Sequence, residues 1–207
     1  MSTKALVGTR LERQAEPGKP RVRDRIFRTA CDLFYRHGIR AVGVDTIATE
    51  AGTNKMSFYR SFESKDVLVA EYLRDQVREG WKWWDSIIAP HSGQPRAQVE
   101  ALFDAHVMRT CTGEGDSRGC ALANAAVEIP EQEHPARRVV EEYKRELRER
   151  FRELARQMHA REPAALGDAL LLLFEGSYLT RLTFHSEHGP AESAAAAARA
   201  LIGAYTA

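Results

Sequence analysis

Apolar side chains recur every three or four residues along most of this 207-residue chain. The most regular run steps by four, four, four, three and four residues through Val139, Tyr143, Leu147, Phe151, Leu154 and Met158. A repeat close to 3.6 residues places such side chains on one face of an α-helix. No segment shows a convincing alternating strand pattern. The sequence therefore predicts an all-α fold.

Glycine, proline and capping residues divide the N-terminal third into short helices. The pattern predicts a first helix from about Val22 to His37, ended by Gly38. A short helix capped by Asp45 or Thr46 follows, then a second short helix over residues 55–62. Ser64 and Asp66 supply cap chemistry for a longer helix that runs to the break at residues 90–95. Residues 1–20 are polar and basic and end in a Pro-Gly cluster, which predicts a flexible arm.

The formal net charge of +1 conceals an uneven distribution. Through Lys65 the chain has 13 Lys and Arg against 7 Asp and Glu, whereas the rest has 17 against 22. A basic head of charge +6 therefore precedes an acidic body of charge −5. This asymmetry indicates a module that binds a polyanion, although a basic tail beside an ordinary acidic domain would give the same numbers.

Composition places the chain among globular proteins, with 43% hydrophobic and 29% charged residues. No apolar run approaches the ~20 residues of a bilayer span, and no apolar block follows the N-terminal basic residues. We expect a soluble cytoplasmic protein without a membrane partner.

Two short helices joined by a glycine-containing turn, within the basic head, are typical of a helix-turn-helix. The second short helix must present polar groups to a major groove ~12 Å wide, and its sequence offers such groups on one side. These candidates are Thr53, Asn54, Lys55, Ser57, Tyr59 and Arg60, while Phe58 and Phe62 would form the buried side. A small αα-hairpin with a solvated polar face is the alternative.

The run from Arg23 to Leu68 resembles the TetR family of bacterial transcriptional regulators. The resemblance rests on Leu33-Phe34-x-x-x-Gly38, on Val44-x-x-Ile47-Ala48-x-x-Ala51-Gly52, and above all on Phe58-Tyr59-x-x-Phe62-x-Ser64-Lys65-x-x-Leu68. It implies an all-α homodimer with a three-helix DNA-binding domain over residues 21–80. It also implies a larger helical domain over residues 81–207 that binds a small-molecule effector and forms the dimer interface.

The resemblance also implies roles for individual residues. Thr46 would contact a phosphate at the start of the first motif helix, and Tyr59 and Lys65 match phosphate-contacting positions. Residues 53–55 and Ser57 would lie at the front of the recognition helix. Met56 and Ser61 depart from the family pattern, so base preference does not transfer.

The segment Leu166–Phe184 is apolar on most of its circumference, with Gly167, Gly176 and Ser177 permitting close approach. Such a helix is usually buried. We expect it to pack on a partner helix in a two-fold dimer, together with the final Ala-rich helix. A wholly internal core helix is the alternative.

Effector pockets are mostly apolar with a few polar groups, so aromatic and apolar residues of the body are candidates for lining one. They are Trp81, Trp84, Phe103, His106, Val107, Met108, Phe151, Phe174 and Tyr178. They suggest a small, largely apolar ligand, although core packing is the alternative role for each.

Other chemistries have weaker signals. Cys111 and Cys120 flank a glycine-rich loop and would suit a thiol-based redox sensor, although a free cysteine is usually a small buried hydrophobe. The acidic cluster of Glu128, Glu131, Glu133 and His134 fits no recognised metal motif. No hydrolase, nucleotide-binding or metalloprotease motif occurs. We therefore expect no enzyme, metal or cofactor, and a helical interaction module without DNA affinity remains a further alternative.

Overall fold

The computed structural model describes residues 20–111, 118–184 and 189–207, and in these ranges the regular secondary structure is entirely helical, without strands. The predicted arm, apart from Pro20, lies outside the described residues. The α-helices are α1 Val22–His37, α2 Val44–Glu50, α3 Lys55–Ser61, α4 Lys65–Ile88, α5 Pro95–Cys111, α6 Ala121–Glu128, α7 Pro135–Gln157, α8 Pro163–Thr183 and α9 Ala194–Thr206. Short 3₁₀ turns at residues 89–91 and 190–193 precede α5 and α9. The predicted all-α fold is confirmed.

A glycine ends the first helix, and the second helix begins without a side-chain cap. Gly38 adopts a φ of +89° after α1, a backbone conformation that glycine tolerates, and its N–H bonds to the Phe34 carbonyl. Helix α2 begins two or three residues earlier than expected, after Gly43, and has no side-chain cap. The prediction that Asp45 or Thr46 caps it is therefore wrong, because both residues already lie within its first turn.

The first hydrophobic core joins α1–α3 and the first half of α4, which form the head, to α6 and the start of α7. Ile26, Ile47, Phe58 and Leu68 are completely buried in it. Leu122 and Ile129, with Val139 and Val140 of α7, complete the same cluster. The head is therefore packed on part of the body, and α4 runs continuously through the predicted boundary at residue 80. The domain limits of 21–80 and 81–207 stay a prediction.

The second core lies within the body, between α4, α5, α7, α8 and α9. Phe103 and Phe151 are completely buried there, and Phe174 meets both rings at centroid distances of 5.8 and 5.6 Å. Trp84 of α4 packs on Phe151 of α7, with ring centroids 5.1 Å apart. Aromatic packing of this kind fixes the relative positions of the body helices.

Helices α7 and α8 are held together by a close backbone approach and by ion pairs. A Cβ atom added to Gly167 would lie 2.6–2.7 Å from Cγ, Cα and N of Arg152. Arg148 and Arg152 each donate two hydrogen bonds of 2.6–2.8 Å to the Asp168 carboxylate. The two guanidinium groups hold the pKa of Asp168 well below its usual range.

Helix α8 has two apolar faces with different surroundings. One face is buried in the body core through Leu166, Leu170 and Phe174. The opposite face carries Leu172 and Leu179, which are 74% and 67% exposed in the single chain. Gly167 and Ser177, which were expected to admit a partner helix, lie on the buried face instead. None of the described helices is both long and apolar enough to cross a membrane.

Candidate nucleic-acid interface and ligand cavity

Helices α2 and α3 are joined by a tight turn that fixes their mutual orientation. Gly52 occupies the turn with a φ of +62°, and the N–H of Thr53 bonds back to the Ala48 carbonyl at 2.9 Å. Phe58 is completely buried and anchors α3 on the head core. The remaining circumference of α3 faces away from the core, so this pair of helices has the geometry of a helix-turn-helix.

The polar side of α3 is a surface of exposed donors and acceptors. The residues expected to contact DNA that the structure leaves exposed are Thr46, Asn54, Lys55, Tyr59 and Arg60, while Thr53, Ser57 and Lys65 are half-buried. The structure therefore gathers these side chains on and around one helix.

Some of these side chains also have structural partners. Asn54 caps α3, because its side-chain oxygen accepts the N–H of Ser57 at 2.9 Å. Lys55 Nζ lies 3.1 Å from a carboxylate oxygen of Asp45. Partial burial lowers the pKa of Lys65, which begins α4. The Asn54 oxygen is therefore engaged within α3, and the Lys55 ammonium is paired within the same pair of helices.

Two arginines that contribute to the positive charge of the head form contacts with other residues of the head. Arg23 lies 4.6 Å from the centroid of the Phe62 ring and pairs with Glu71 at 2.6 Å. Arg25 Nε donates to the carbonyl of Ala51 at 3.2 Å, at the end of α2. Charge counting along the chain could not distinguish these internally bonded arginines from basic residues whose side chains stay exposed.

A partly enclosed cavity of about 160 Å³ lies in the body directly beneath the head. Helices α1, α4, α5, α6, α7 and α8 and the segment before α6 form its wall. The lining residues described are Tyr35, Gln76, Gly80, Trp81, Trp83, Trp84, Arg109, Gly119, Cys120, Ala121, Leu122, Tyr143, Phe174 and Tyr178. Trp81, Trp84, Phe174 and Tyr178 are the residues predicted as pocket lining that the structure brings together here.

The other five predicted lining residues lie elsewhere. Phe103 and Phe151 are completely buried in the second core, where they pack on other rings. His106 is also completely buried and forms a hydrogen bond with Ser177. Val107 packs against the core, whereas Met108 is 67% exposed. Successive residues of α5 are turned by about 100°, so Met108 points away from the core face that holds His106 and Val107.

Sequence reasoning missed the cavity residues that carry its polar chemistry. Arg109 is exposed at the cavity edge, with its guanidinium 5.1 Å from the Trp83 ring centroid, and it donates to the Tyr178 hydroxyl at 3.1 Å. Tyr143 adds a ring 5.0 Å from that of Trp81. Tyr143 was assigned to the amphipathic stripe of α7, and Arg109 had no sequence signal, because only tertiary packing brings it to these rings.

The cavity wall is continuous with the contact between head and body. The Tyr35 hydroxyl of α1 donates to the Gly119 carbonyl at 3.3 Å and accepts the N–H of Arg118 at 3.2 Å. Arg118 in turn donates to the Arg36 carbonyl at 2.6 Å. Tyr35 and Gly119, which line the cavity, thus also take part in holding the end of α1.

The acidic residues around Pro130 form a second contact between head and body. A carboxylate oxygen of Glu128 accepts the Arg40 N–H at 3.0 Å, and Glu131 pairs with the Arg40 guanidinium at 2.6 Å. His134 caps α7 through Nδ1, and its Nε2 lies 3.3 Å from Asp66. The described residues hold no group of three or more potential metal ligands. These side chains therefore act as a link between α6, α7 and the head.

The two cysteines of the redox hypothesis differ in what the structure describes. The Cys111 side chain lies outside the described residues. Burial raises the pKa of the Cys120 thiol, and its sulfur lies 3.9 Å from Lys144 Nζ. A thiol of raised pKa is a poor nucleophile at neutral pH, which disfavours a sensor based on Cys120.

A helix-turn-helix head packed on a helical body with a partly enclosed cavity is typical of a class of DNA-binding regulators. The family model for bacterial regulatory proteins of the TetR family matches residues 26–72. A TetR-family transcriptional regulator from Streptomyces coelicolor, SCO4454, has a crystal structure that superposes with a TM-score of 0.78 at 27% identity, covering 90% of this chain and 96% of that one. A second regulator structure, from Streptomyces avermitilis, gives a TM-score of 0.68 at 27% identity over 90% and 98% of the two chains.

The chain therefore carries a TetR-type DNA-binding domain over residues 26–72 and shares its overall fold with TetR-family transcriptional regulators. It is also 30% identical over 128 residues to the HTH-type transcriptional repressor SCO4008 of Streptomyces coelicolor. That match spans 56% of this chain and 59% of the length of the repressor.

Proposed function

We propose that this protein is a transcriptional repressor that binds a palindromic operator as a homodimer and is released by a small, largely apolar effector. The observation that carries the proposal is the exposed polar face of α3, held on a buried Phe58 within a helix-turn-helix. The similarity to a named repressor supports repression. The proposed activity is DNA binding in the cytoplasm and contains no catalytic step.

The proposed operator contacts divide into two kinds. Lys55, Tyr59, Lys65 and Thr46 would bind phosphates, which position the protein without reading sequence. Thr53, Asn54, Ser57 and Arg60 would reach base edges in the major groove. Met56, which is 63% exposed on α3, adds an apolar group that suits a thymine methyl.

Removing a phosphate contact should weaken binding to every sequence, whereas removing a base contact should change sequence preference. We expect Lys65→Ala to weaken binding to all duplexes and to reduce the salt slope by about one. Ser57→Ala should alter preference by about 1–3 kcal/mol at one position if Ser57 bonds a base. Fluorescence anisotropy with operators selected from a random pool, measured over a range of salt concentrations, provides both quantities.

Lys82→Ala is the matched control, because Lys82 is an exposed α4 lysine outside the helix-turn-helix that pairs with Glu79. Its affinity and salt slope should equal those of the unmodified protein. Binding without any salt dependence, or no binding to duplex DNA at low salt, would refute the DNA-binding function and favour an interaction module.

The homodimer is proposed from the exposed face of α8. Ala169, Leu172, Gly176, Leu179 and Thr183 follow one another at spacings of three and four along this face. A Cβ added at Gly176 would meet no atom within 4 Å in the single chain. The neighbouring α9 adds Ala196, Ala200 and Ala204, which are exposed as well. Exposed apolar and small residues on two adjacent helices suit packing against a two-fold related copy, which would space two recognition helices by ~34 Å.

Charge on this face should prevent dimerisation. The double variant Leu172→Glu/Leu179→Glu is expected to sediment as a monomer in analytical ultracentrifugation and to lose about 100-fold or more in operator affinity, because each half-site then binds alone. Val127→Glu is the control, since Val127 is an 85% exposed apolar residue of α6, away from this face. A dimer that persists in the double variant would place the interface elsewhere.

Effector response is proposed to pass through the shared wall of the cavity. Because Tyr35 and Gly119 line the cavity and also hold the end of α1, a ligand that displaces either one changes the position of the head. A ligand shifts such an equilibrium only by its differential affinity for the two arrangements. Two heads that move apart no longer match the two half-sites of one operator.

A further inference from the structure

We propose that the effector is a compact aromatic anion, a single ring bearing a carboxylate, whose carboxylate is held by Arg109 at the cavity edge. This inference rests on the proposed function, because it names the chemical class that the regulator senses.

The volume of the cavity sets the size of the ligand. An apolar cavity of about 150 Å³ holds one benzene molecule. The cavity measures about 160 Å³, so it accommodates one ring with a small substituent in the conformation of this structure. A fused polycyclic ligand would require the helices to separate.

The charges around the cavity favour an anion. Among the described residues that line the cavity, Arg109 is the one with a full charge. It forms no ion pair with a carboxylate of the described residues, and its partners there are the Tyr178 hydroxyl and the Trp83 ring. Lys144, beside the cavity, is already paired with Glu175. The electrostatic balance within the described wall is therefore positive.

The aromatic rings of the wall do not offer free faces to a cation. The Arg150 guanidinium lies 3.9 Å from the Trp81 ring centroid, and Lys144 Nζ lies 5.5 Å from that of Tyr143. Arg109 covers Trp83 in the same way. A cationic ligand would have to compete with these side chains for the rings and would also be repelled by Arg109.

Arg109 is held in a suitable orientation for a carboxylate. Stacking on Trp83 and the 3.1 Å bond from one terminal nitrogen to Tyr178 restrict its guanidinium. The remaining N–H groups of the fork can bind a carboxylate in the bidentate geometry that arginine favours. Arg150 differs, because Asp85 and Glu146 already occupy its fork.

The inference can be tested with three ring compounds of similar size and different charge. Benzoate, benzyl alcohol and benzyltrimethylammonium are titrated into the full-length protein at neutral pH, and binding is followed by isothermal titration calorimetry and by the fluorescence of Trp81, Trp83 and Trp84. We expect benzoate to bind at least tenfold more tightly than the other two, since hydrogen bonds to charged groups contribute about 1.5–3 kcal/mol.

Variants test whether Arg109 and this cavity are responsible. Arg109→Gln should weaken benzoate binding at least tenfold and change benzyl alcohol binding less than twofold, while Arg109→Lys should retain an intermediate affinity. Gly80→Leu should abolish binding of both, because a side chain at Gly80 projects beside the Tyr143 hydroxyl into the cavity. Arg74→Gln, at an exposed position of the same helix as Gly80 but outside the wall, is the control.

Preference for benzyltrimethylammonium or benzyl alcohol over benzoate would overturn the inference, and so would benzoate binding that Arg109→Gln leaves unchanged. These measurements need no DNA. A protein that binds operator but not benzoate therefore contradicts the ligand class alone. A protein that binds benzoate but no duplex DNA contradicts the proposed function.

Discussion

Gly167→Ala is expected to destabilise the protein by about 3 kcal/mol, with a decrease in Tm of roughly 5–10 °C. The added Cβ would lie 2.6 Å from Cγ and 2.7 Å from Cα and N of Arg152. Backbone atoms cannot move aside as the end of a flexible side chain does. Helices α7 and α8 must therefore separate, which also disturbs the ion pairs of Asp168 with Arg148 and Arg152.

Gly80→Ala is the matched control for this substitution. It is also a glycine within a helix, but its added Cβ would lie 3.9 Å from the Tyr143 hydroxyl, an ordinary contact distance. Alanine is about 0.8–1.0 kcal/mol more favourable than glycine within a helix, so Gly80→Ala should be neutral or stabilising. Chemical denaturation of both variants measures the difference. Equal stabilities would show that α7 and α8 adjust to a Cβ at Gly167 without cost.

Acidification is expected to destabilise the protein through His106. Its ring is completely buried between Phe174 and Tyr178, and burial, with a smaller contribution from the charge of Arg109, lowers the pKa of His106 from 6.5 to about 3. Between these values the unfolded chain binds a proton at this residue and the folded chain does not. The contribution of His106 to the free energy of unfolding is therefore fully present above pH 6.5. It falls by about 1.4 kcal/mol per pH unit as the pH decreases toward 3.

Urea denaturation between pH 6.5 and 5.0 measures this effect while most carboxylates remain ionised. His106→Gln should reduce the slope of unfolding free energy against pH, whatever its effect at pH 7. His37→Gln, at an exposed histidine at the end of α1, is the control and should retain the slope. An unchanged slope in His106→Gln would show that the His106 ring becomes protonated in the folded protein.

Much of the head was predictable because its determinants are local. The bounds of α1 follow from its apolar spacing and from Gly38, whose positive φ stops the helix. Ser64 caps α4 as predicted, accepting the N–H of Val67. Helix α3 begins at Lys55 as expected and ends one residue early at Ser61, within the fraying expected of a helix end.

The ligand cavity was less predictable because its wall is assembled from distant segments. Aromatic residues of α5 and α7 were assigned to it by type, yet Phe103 and Phe151 fill the core instead. Arg109 was absent from the prediction because a charged residue at the end of an apolar helix has no distinctive sequence pattern. Only the packing of α4, α5 and α8 brings its guanidinium to Trp83 and Tyr178.

Periodicity, breakers and the spacing of Phe58, Tyr59, Phe62 and Lys65 were enough to determine the helical class and the position of the helix-turn-helix, because each depends on residues within a few turns of one another. The tertiary structure alone decided which face of α8 is buried, where the cavity lies and how it meets α1. Those features depend on contacts between residues as far apart as Tyr35 and Gly119. Spacing along the chain carries no information about such contacts, since they form only when the helices pack.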